Sequence, residues 1–267
     1  MTYVQLTFFD LAGAAALILV NGALSLAFRL GMERSLAVST LRMCVQLGAI
    51  GFVLKFIFAQ TSPAWTLGLG LVMILVAGRE IAARQETSFE GLWTYGLGTA
   101  SLLFVGTLGT VFGVGALIGP EPWYTPRYVI PVLGMLLGNT MTGISLGLDT
   151  LIGAARRQKA EIEAQIALGA ARFEALKPTL RRALRTGMMP IVNAMAASGI
   201  VALPGMMTGQ ILSGVDPVEA TKYQLLIMFL IAGGTALGVL VAVLGAAWRL
   251  TDERHRLRLD RLRASRG

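Results

Sequence analysis

Apolar residues in this chain run on for longer than any soluble element needs. Near 7–28, 37–59, 64–82, 92–119, 128–148, 188–212 and 222–248 they continue with little more than Gly, Ser, Thr and isolated polar side chains between them. A bilayer core about 30 Å thick takes about 20 helical residues. Each run therefore predicts a span, and the chain reads as an all-α polytopic membrane protein of about seven transmembrane helices. The fourth run is long enough to tilt or bend. Met1–Gln5 carry no basic leader region, so the first run reads as a span and not as a cleaved signal. The longest polar segment, about Asp149 to Thr186, leaves no room for a soluble domain. One transmembrane domain is expected over 1–267, with a cytoplasmic loop at about 149–187 and a basic cytoplasmic tail at about 249–267.

The charges orient this pattern. With the amino terminus outside, all of the 23 Lys and Arg residues except Lys55, Arg127 and Lys222 fall on the inner side. The positive-inside rule then puts the N-terminus outside and the C-terminus in the cytoplasm. A net charge of +8 becomes a topological signal and needs no nucleic acid to explain it. The basic tail from Arg254 to Arg263 lies beside a span and is expected to attract anionic lipids. Composition agrees: 55% of residues are hydrophobic, 14% are charged and mean hydropathy is +0.67, well below the charge content of soluble domains. One cysteine, Cys44, and one histidine, His255, leave no disulfide or metal framework.

Within the longest polar segment, Glu161-Ile162-Glu163-Ala164-Gln165-Ile166-Ala167-Leu168-Gly169-Ala170-Ala171-Arg172 forms a charged helix pattern that stops on a glycine. A glycine after Leu168 suits the left-handed position that ends a helix, and Ala170 onward can restart one in a new direction. The residues alone leave two readings open, a plain amphipathic cytoplasmic loop or a docking element. Glu163, Ala164, Gly169, Ala170, Ala171 and Arg172 resemble the EAA loop of ABC-transporter membrane subunits, with Gln165 departing from the usual Ala. In that family the loop is a helix-turn-helix seated in a groove of a cytoplasmic ATPase.

Two further stretches extend the likeness. Ile130-Pro131-Val132-Leu133-Gly134-Met135 continues through Gly138, Asn139 and Met141, and Leu203-Pro204-Gly205-Met206-Met207 continues through Gly209, Gly214 and Pro217 to Gln224. With Arg42, Gln46 and the Gly51–Lys55 run, the chain from about Leu41 to Phe229 resembles the Fet-type iron-export ABC permeases of bacteria and the related plant aluminium-resistance permeases. The resemblance implies a permease subunit in a bacterial inner membrane, exporting iron or another metal ion or complex. It further implies a homodimer, because one copy carries one docking loop, and a separate ATPase subunit that binds ATP and Mg²⁺.

Several membrane residues invite a physical reading. Gly134 and Gly138 form a small-residue pair that admits a close helix neighbour. Asn139 needs hydrogen-bond partners, from a neighbouring helix or in a polar path. Pro204 with Gly205 is expected to bend or unwind the sixth helix, and irregular backbone at that depth lines a cavity or is buried. Met206 and Met207 beside it read as flexible packing or a gate in preference to metal ligands. Arg42 and Gln46, four apart on one helix face, either anchor at the interface or face a path for anionic cargo. Glu161 completes the candidate docking set.

The missing motifs narrow the class. The chain has no G-x-x-x-x-G-K-[ST] loop, so ATP hydrolysis belongs to another polypeptide. No Asp or Glu falls at a span centre, which weakens an ion-gradient-driven secondary carrier, the alternative function. No nucleophile–base pair, paired carboxylates or metal-ligand set within the membrane suggests an enzyme. A non-transporting scaffold that uses the same loop predicts binding without flux.

Overall fold

The computed structural model describes residues 7–60 and 62–264; the stretch Met1–Gln5, read above for a leader, lies outside them. The single domain expected over 1–267 divides into two compact units, Met1–Thr61 and Ser62–Gly267. The first is a hairpin of α1 (Phe8–Ala27) and α2 (Glu33–Phe58). Thr7 and Asp10 cap α1 reciprocally, and the turn is closed by Ser25, whose hydroxyl donates to Glu33 at 2.8 Å and accepts from the Met32 backbone. Apart from Ser25 and Ile57, almost every side chain of both helices is exposed, including Phe8, Leu19, Leu41 and Phe52. Two apolar helices with so little buried surface are stable only where the solvent is lipid.

The second unit begins with α3 (Pro63–Ala83), started by Ser62 and a first-turn proline. A short strand β1 (Thr87–Phe89) leads to α4 (Trp93–Leu108), which continues without a break as a π-helix over Gly109–Ile118. The wider turn occurs where Gly109 and Gly113 admit Leu136 and Leu230; a Cβ on Gly113 would stand 2.5 Å from Leu230 Cδ1. Gly119, at φ 63°, ends it. Next come α5 (Pro126–Arg157), α6 (Lys159–Ala167), α7 (Arg172–Ala175), α8 (Lys177–Ala197), α9 (Gly205–Leu212), α10 (Pro217–Leu250) and β2 (Leu262–Ala264). The strands β1 and β2 pair antiparallel, Ser88 opposite Arg263.

The core of this unit is α5 packed on α10, with α8 against both and α3 and α4 on the other side. Leu136, Ile144, Leu148, Leu151 and Ile152 of α5 are fully buried, as are Val239, Ala242, Val243 and Ala246 of α10. Small residues set the spacing. A Cβ on Gly143 would lie 2.7 Å from the Gly187 carbonyl, and one on Gly187 equally close to the Gly143 carbonyl, so α5 and α8 cross backbone to backbone. Gly134 and Gly138 do not make the close approach within the chain. Gly134 meets only Met73 at an ordinary 3.4 Å, and Gly138 faces nothing within 4 Å.

Six helices among the described residues are long and apolar enough to cross a membrane: α1, α2, α3, α4 with its π-helical continuation, α5 and α10. The expected span at 188–212 is not one helix. Its break runs from Ser198 to Pro204, so it includes the anticipated Pro204, whereas Gly205 already opens α9. There the Ser198 hydroxyl bonds back to Ala194 O, Gly199 adopts φ 89°, and Ser198 bridges to Ala202. The expected loop at 149–187 is helical over most of its length, because α5 runs on to Arg157 and α8 starts at Lys177.

Candidate functional site

A helix of 32 residues is about 48 Å long, so α5 exceeds the bilayer core by about 18 Å. Trp123, Tyr124 and Tyr128 mark one end of the unit, and Trp93, Tyr95 and Trp248 the other. Trp93 and Trp248 stack at 6.2 Å with the Arg249 guanidinium 4.7 Å above the Trp93 ring, an arrangement suited to a headgroup layer. Beyond this second belt stand the end of α5, α6, α7, the β1–β2 pair and the tail.

The helix-turn-helix is formed as its sequence predicts. Ile162 is buried at 2% exposure, in one core with Ala155, Ala175, Leu176 and Leu180. Glu161, Glu163, Ala164 and Leu168 face outward, Leu168 at 89% exposure. Gly169 takes φ 98°, and the Ala170 N–H closes the turn on Gln165 O at 3.0 Å. The Ala171 N–H donates to Glu174 at 3.1 Å and starts α7. The Arg172 guanidinium lies 5.3 Å from the Phe173 ring centroid.

The tail holds this element, which the sequence reading missed. The Arg172 backbone N–H donates to His255 Nδ1 at 3.1 Å, and its guanidinium to Asp252 O at 3.0 Å. The tail is itself cross-braced. Asp252 pairs with Arg256 at 2.7 Å, and Arg258 with Asp260 at 2.7 Å. Arg261 donates to Arg249 O at 2.9 Å, while its own carbonyl accepts from the Glu90 N–H. Backbone N–H groups led by that of Arg256 hold the Asp252 carboxyl below its ordinary range, and the Arg258 hydrogen bond holds Asp260 down to about 2. Burial, then repulsion from Arg258 and Arg249, lowers Arg261. Leu257, Leu259 and Leu262, which pack on the core, were the available signal that this basic stretch folds back.

A polar cleft of about 570 Å³ opens between α5, α8 and the β1 strand, lined by Glu86, Asp149, Arg156, Arg157, Arg182 and Thr186 among others. Further into the membrane, α5 exposes Pro131, Gly138, Asn139 and Leu146 on one side, with Thr142 half-buried among them. Asn139 donates to Met135 O at 2.9 Å and Thr142 to Gly138 O at 3.0 Å, both within the helix. Met206 packs on the second core cluster, Met207 is half-buried, and Gly205 is exposed. Gln210 and Gln224 close by in sequence each leave a buried Oε1 without a partner. Arg42 and Gln46 lie in the first unit, both exposed, one turn apart on α2. The structure thus brings Glu161, Glu163, Ala164 and Gly169–Arg172 into one element. Gly138 and Asn139 share a different helix, and Pro204–Met207 begin another. Among the described residues no three His, Cys, Asp or Glu side chains gather to hold a metal ion.

Comparison with known proteins gives the lineage. The chain is 36% identical over 219 residues to the UPF0014 membrane protein slr1647 of Synechocystis sp., covering 80% of this chain and 82% of that one. It is 34% identical to Protein ALUMINUM SENSITIVE 3 of Arabidopsis thaliana, over 82% and 79% of the two chains. With the Probable iron export permease protein FetB of Escherichia coli it shares 29% identity over 95% and 96%. No solved structure matches. Residues 8–250 match the family described as Uncharacterised protein family (UPF0014), so this integral membrane protein belongs to the UPF0014 family, to which the resemblance to bacterial iron-export and plant aluminium-resistance permeases pointed.

Proposed function

We propose that this chain is the non-catalytic permease subunit of an ATP-driven ABC transporter that exports iron or another metal ion or complex. ATP and Mg²⁺ bind a separate cytoplasmic ATPase, which docks on Glu161, Glu163, Ala164 and Gly169–Arg172. The observation that carries this reading is the outward-facing helix-turn-helix α6–Gly169–α7. It stands clear of the aromatic belt on the end of α5 and presents Glu163, Ala164 and Leu168 to solution. The name of the Escherichia coli relative supplies the metal and the direction.

In this mechanism two copies form the translocation unit and α8–α9 count as a broken sixth pass, giving seven passes, the N-terminus outside and the C-terminus in the cytoplasm of a bacterial inner membrane. Nucleotide-driven closure of the ATPases pushes on α6–α7, and the rigid α5 transmits the push to its intramembrane face. Cargo passes between protomers past Asn139, and Pro204–Met207, where the chain re-enters helix after the break, serves as the outer gate. Arg42 and Gln46 of the first unit are the candidates for drawing in anionic cargo. Anionic lipids at the basic end steady the assembly.

The test is metal flux in proteoliposomes with and without the candidate ATPase subunit and ATP. Flux that needs both supports the reading and gives the direction by its sidedness. Flux from this chain alone on an ion gradient would sink it in favour of a secondary carrier.

A further inference from the structure

The cleft at the basic end is built from donors. Arg156, Arg157 and Arg182 line it with Thr186, while Glu86 and Asp149 stand at the same site. Arg156 is occupied: its Nη1 donates to Thr87 Oγ1 at 2.9 Å. Arg157 is folded back along α5 over Gly153, where a Cβ would lie 3.2 Å from its Nη1. The absence of a side chain at Gly153 therefore leaves that guanidinium its place in the cleft.

The ion pairs at this end of the unit are Arg84–Glu80, Lys159–Glu163 and those within the tail; among the described residues none takes Arg157 or Arg182. Two guanidinium groups without carboxylate partners beside a cavity of about 570 Å³ form a fork for planar oxyanions, and arginine cannot ligate a bare cation. The two carboxylates reduce the lining to a net charge of about +1 at neutral pH. That balance suits a bulky ligand of mixed charge better than a small, dense anion.

We infer that this cleft binds a soluble metal–polycarboxylate complex, whose carboxylate oxygens are gripped by Arg157 and Arg182 while its metal lies toward Glu86 and Asp149. The inference rests on the metal-cargo reading above and gives it a chemical class: the metal arrives chelated. The site lies on the inner side of α5 and α8, where cytoplasmic cargo enters. The competing source of oxyanion is the phosphate of an inner-leaflet lipid, since guanidinium groups at a membrane edge grip both.

The test is equilibrium binding of radiolabelled ferric citrate to the full chain in nanodiscs of zwitterionic lipid, without ATPase. Ferric citrate should bind in a one-to-one ratio, and the Arg157→Gln/Arg182→Gln pair should weaken it by roughly tenfold or more, the loss of two charged hydrogen bonds. The Arg157→Lys/Arg182→Lys pair should keep the fold and recover part of the affinity. Metal-free citrate should bind more weakly than the complex.

Unchanged binding in the Gln pair, equal or tighter binding of metal-free citrate, or binding of Fe²⁺ without chelator in place of the complex would each overturn the proposal. Displacement of ferric citrate by a small fraction of phosphatidylglycerol would assign the cleft to lipid headgroups and overturn it too. Because the ATPase is absent, this experiment fails separately from the transport assay. Failure of the unsubstituted chain to bind ferric citrate, with intact ATP-coupled flux, removes the cleft and leaves the ABC reading, and binding without ATP-coupled flux does the reverse.

Discussion

At the residue scale, two glycines do different work and can be told apart. Gly169 is needed for its φ of 98°, with nothing within 4 Å of a Cβ. An L side chain there costs about 1–2 kcal/mol, paid locally in the turn. Gly169→Val should leave membrane insertion and melting nearly unchanged and reduce ATP-coupled flux several-fold; full coupling in this variant and in Glu163→Ala would remove α6–α7 as the docking element. Gly143 is needed for space, because a Cβ would meet the Gly187 carbonyl at 2.7 Å and backbone cannot swing aside. Gly143→Leu should therefore lower the melting temperature of the solubilised protein by several degrees, about 1–3 kcal/mol of overpacking, and Gly138→Leu should not. The sequence marked Gly169 correctly as a helix end but pointed to Gly134 and Gly138 for the close approach that Gly143 makes. The end of a helix is a local matter, readable at Gly169, whereas the close approach at Gly143 depends on which helix α5 meets.

Acid sensitivity also belongs to single residues. Asp252 and Asp260 carry carboxyls held below their ordinary value of 3.8, Asp260 down to about 2. A depressed folded value stabilises the folded tail above the unfolded value and loses that effect as pH falls through the folded one. Amide protection in residues 250–264 should therefore persist from neutral pH to about 4 and fall between about 4 and about 2. Protection that survives to the lowest pH would mean that these pairs hold nothing.

At the element scale, the legible features were those coded by neighbours in sequence. The spans α1–α5 and α10 follow apolar runs, and α6 stops where Gly169 stops it. Three features were hidden. Hydropathy reports lipid exposure, so it marked the end of α5 near 148 although the helix continues as a polar rod to Arg157. The break at Ser198 needs Gly199 and a hydroxyl bonded to Ala194 O, a combination less conspicuous than Pro204. The β1–β2 pair joins strands from opposite ends of the unit, and no local pattern announces such a partner. The tail element makes its own prediction. His255→Ala removes the acceptor of the Arg172 N–H, so exchange at residues 170–173 should quicken in hydrogen–deuterium measurements while the membrane helices stay protected. Unchanged exchange there would show that the tail does not brace α6–α7.

At the scale of the whole molecule, the exposed polar face of α5 requires a cover. Asn139 lies 13 residues into a helix that starts at Pro126, about 20 Å along it and so deep in the bilayer. Its amide is exposed and its one bond goes to Met135 O within the same helix. Nearby Gly138 is exposed with empty space over it, while α10 exposes large apolar side chains such as Leu225, Phe229 and Leu244. Leaving an amide facing lipid costs about 1–3 kcal/mol, and a second copy offers the same amide and the same small-residue gap. Across a two-fold axis a residue near the axis meets its own copy. Asn139→Cys in a Cys44→Ser background should accordingly give an oxidised dimer in native membranes, and Leu244→Cys should not. ATP and the ATPase subunit should change the rate of that cross-link, because in the proposed mechanism α6–α7 moves this same face. Equal cross-linking at both positions, or none at Asn139→Cys under any nucleotide condition, would place the protomer contact elsewhere and require another route for the cargo.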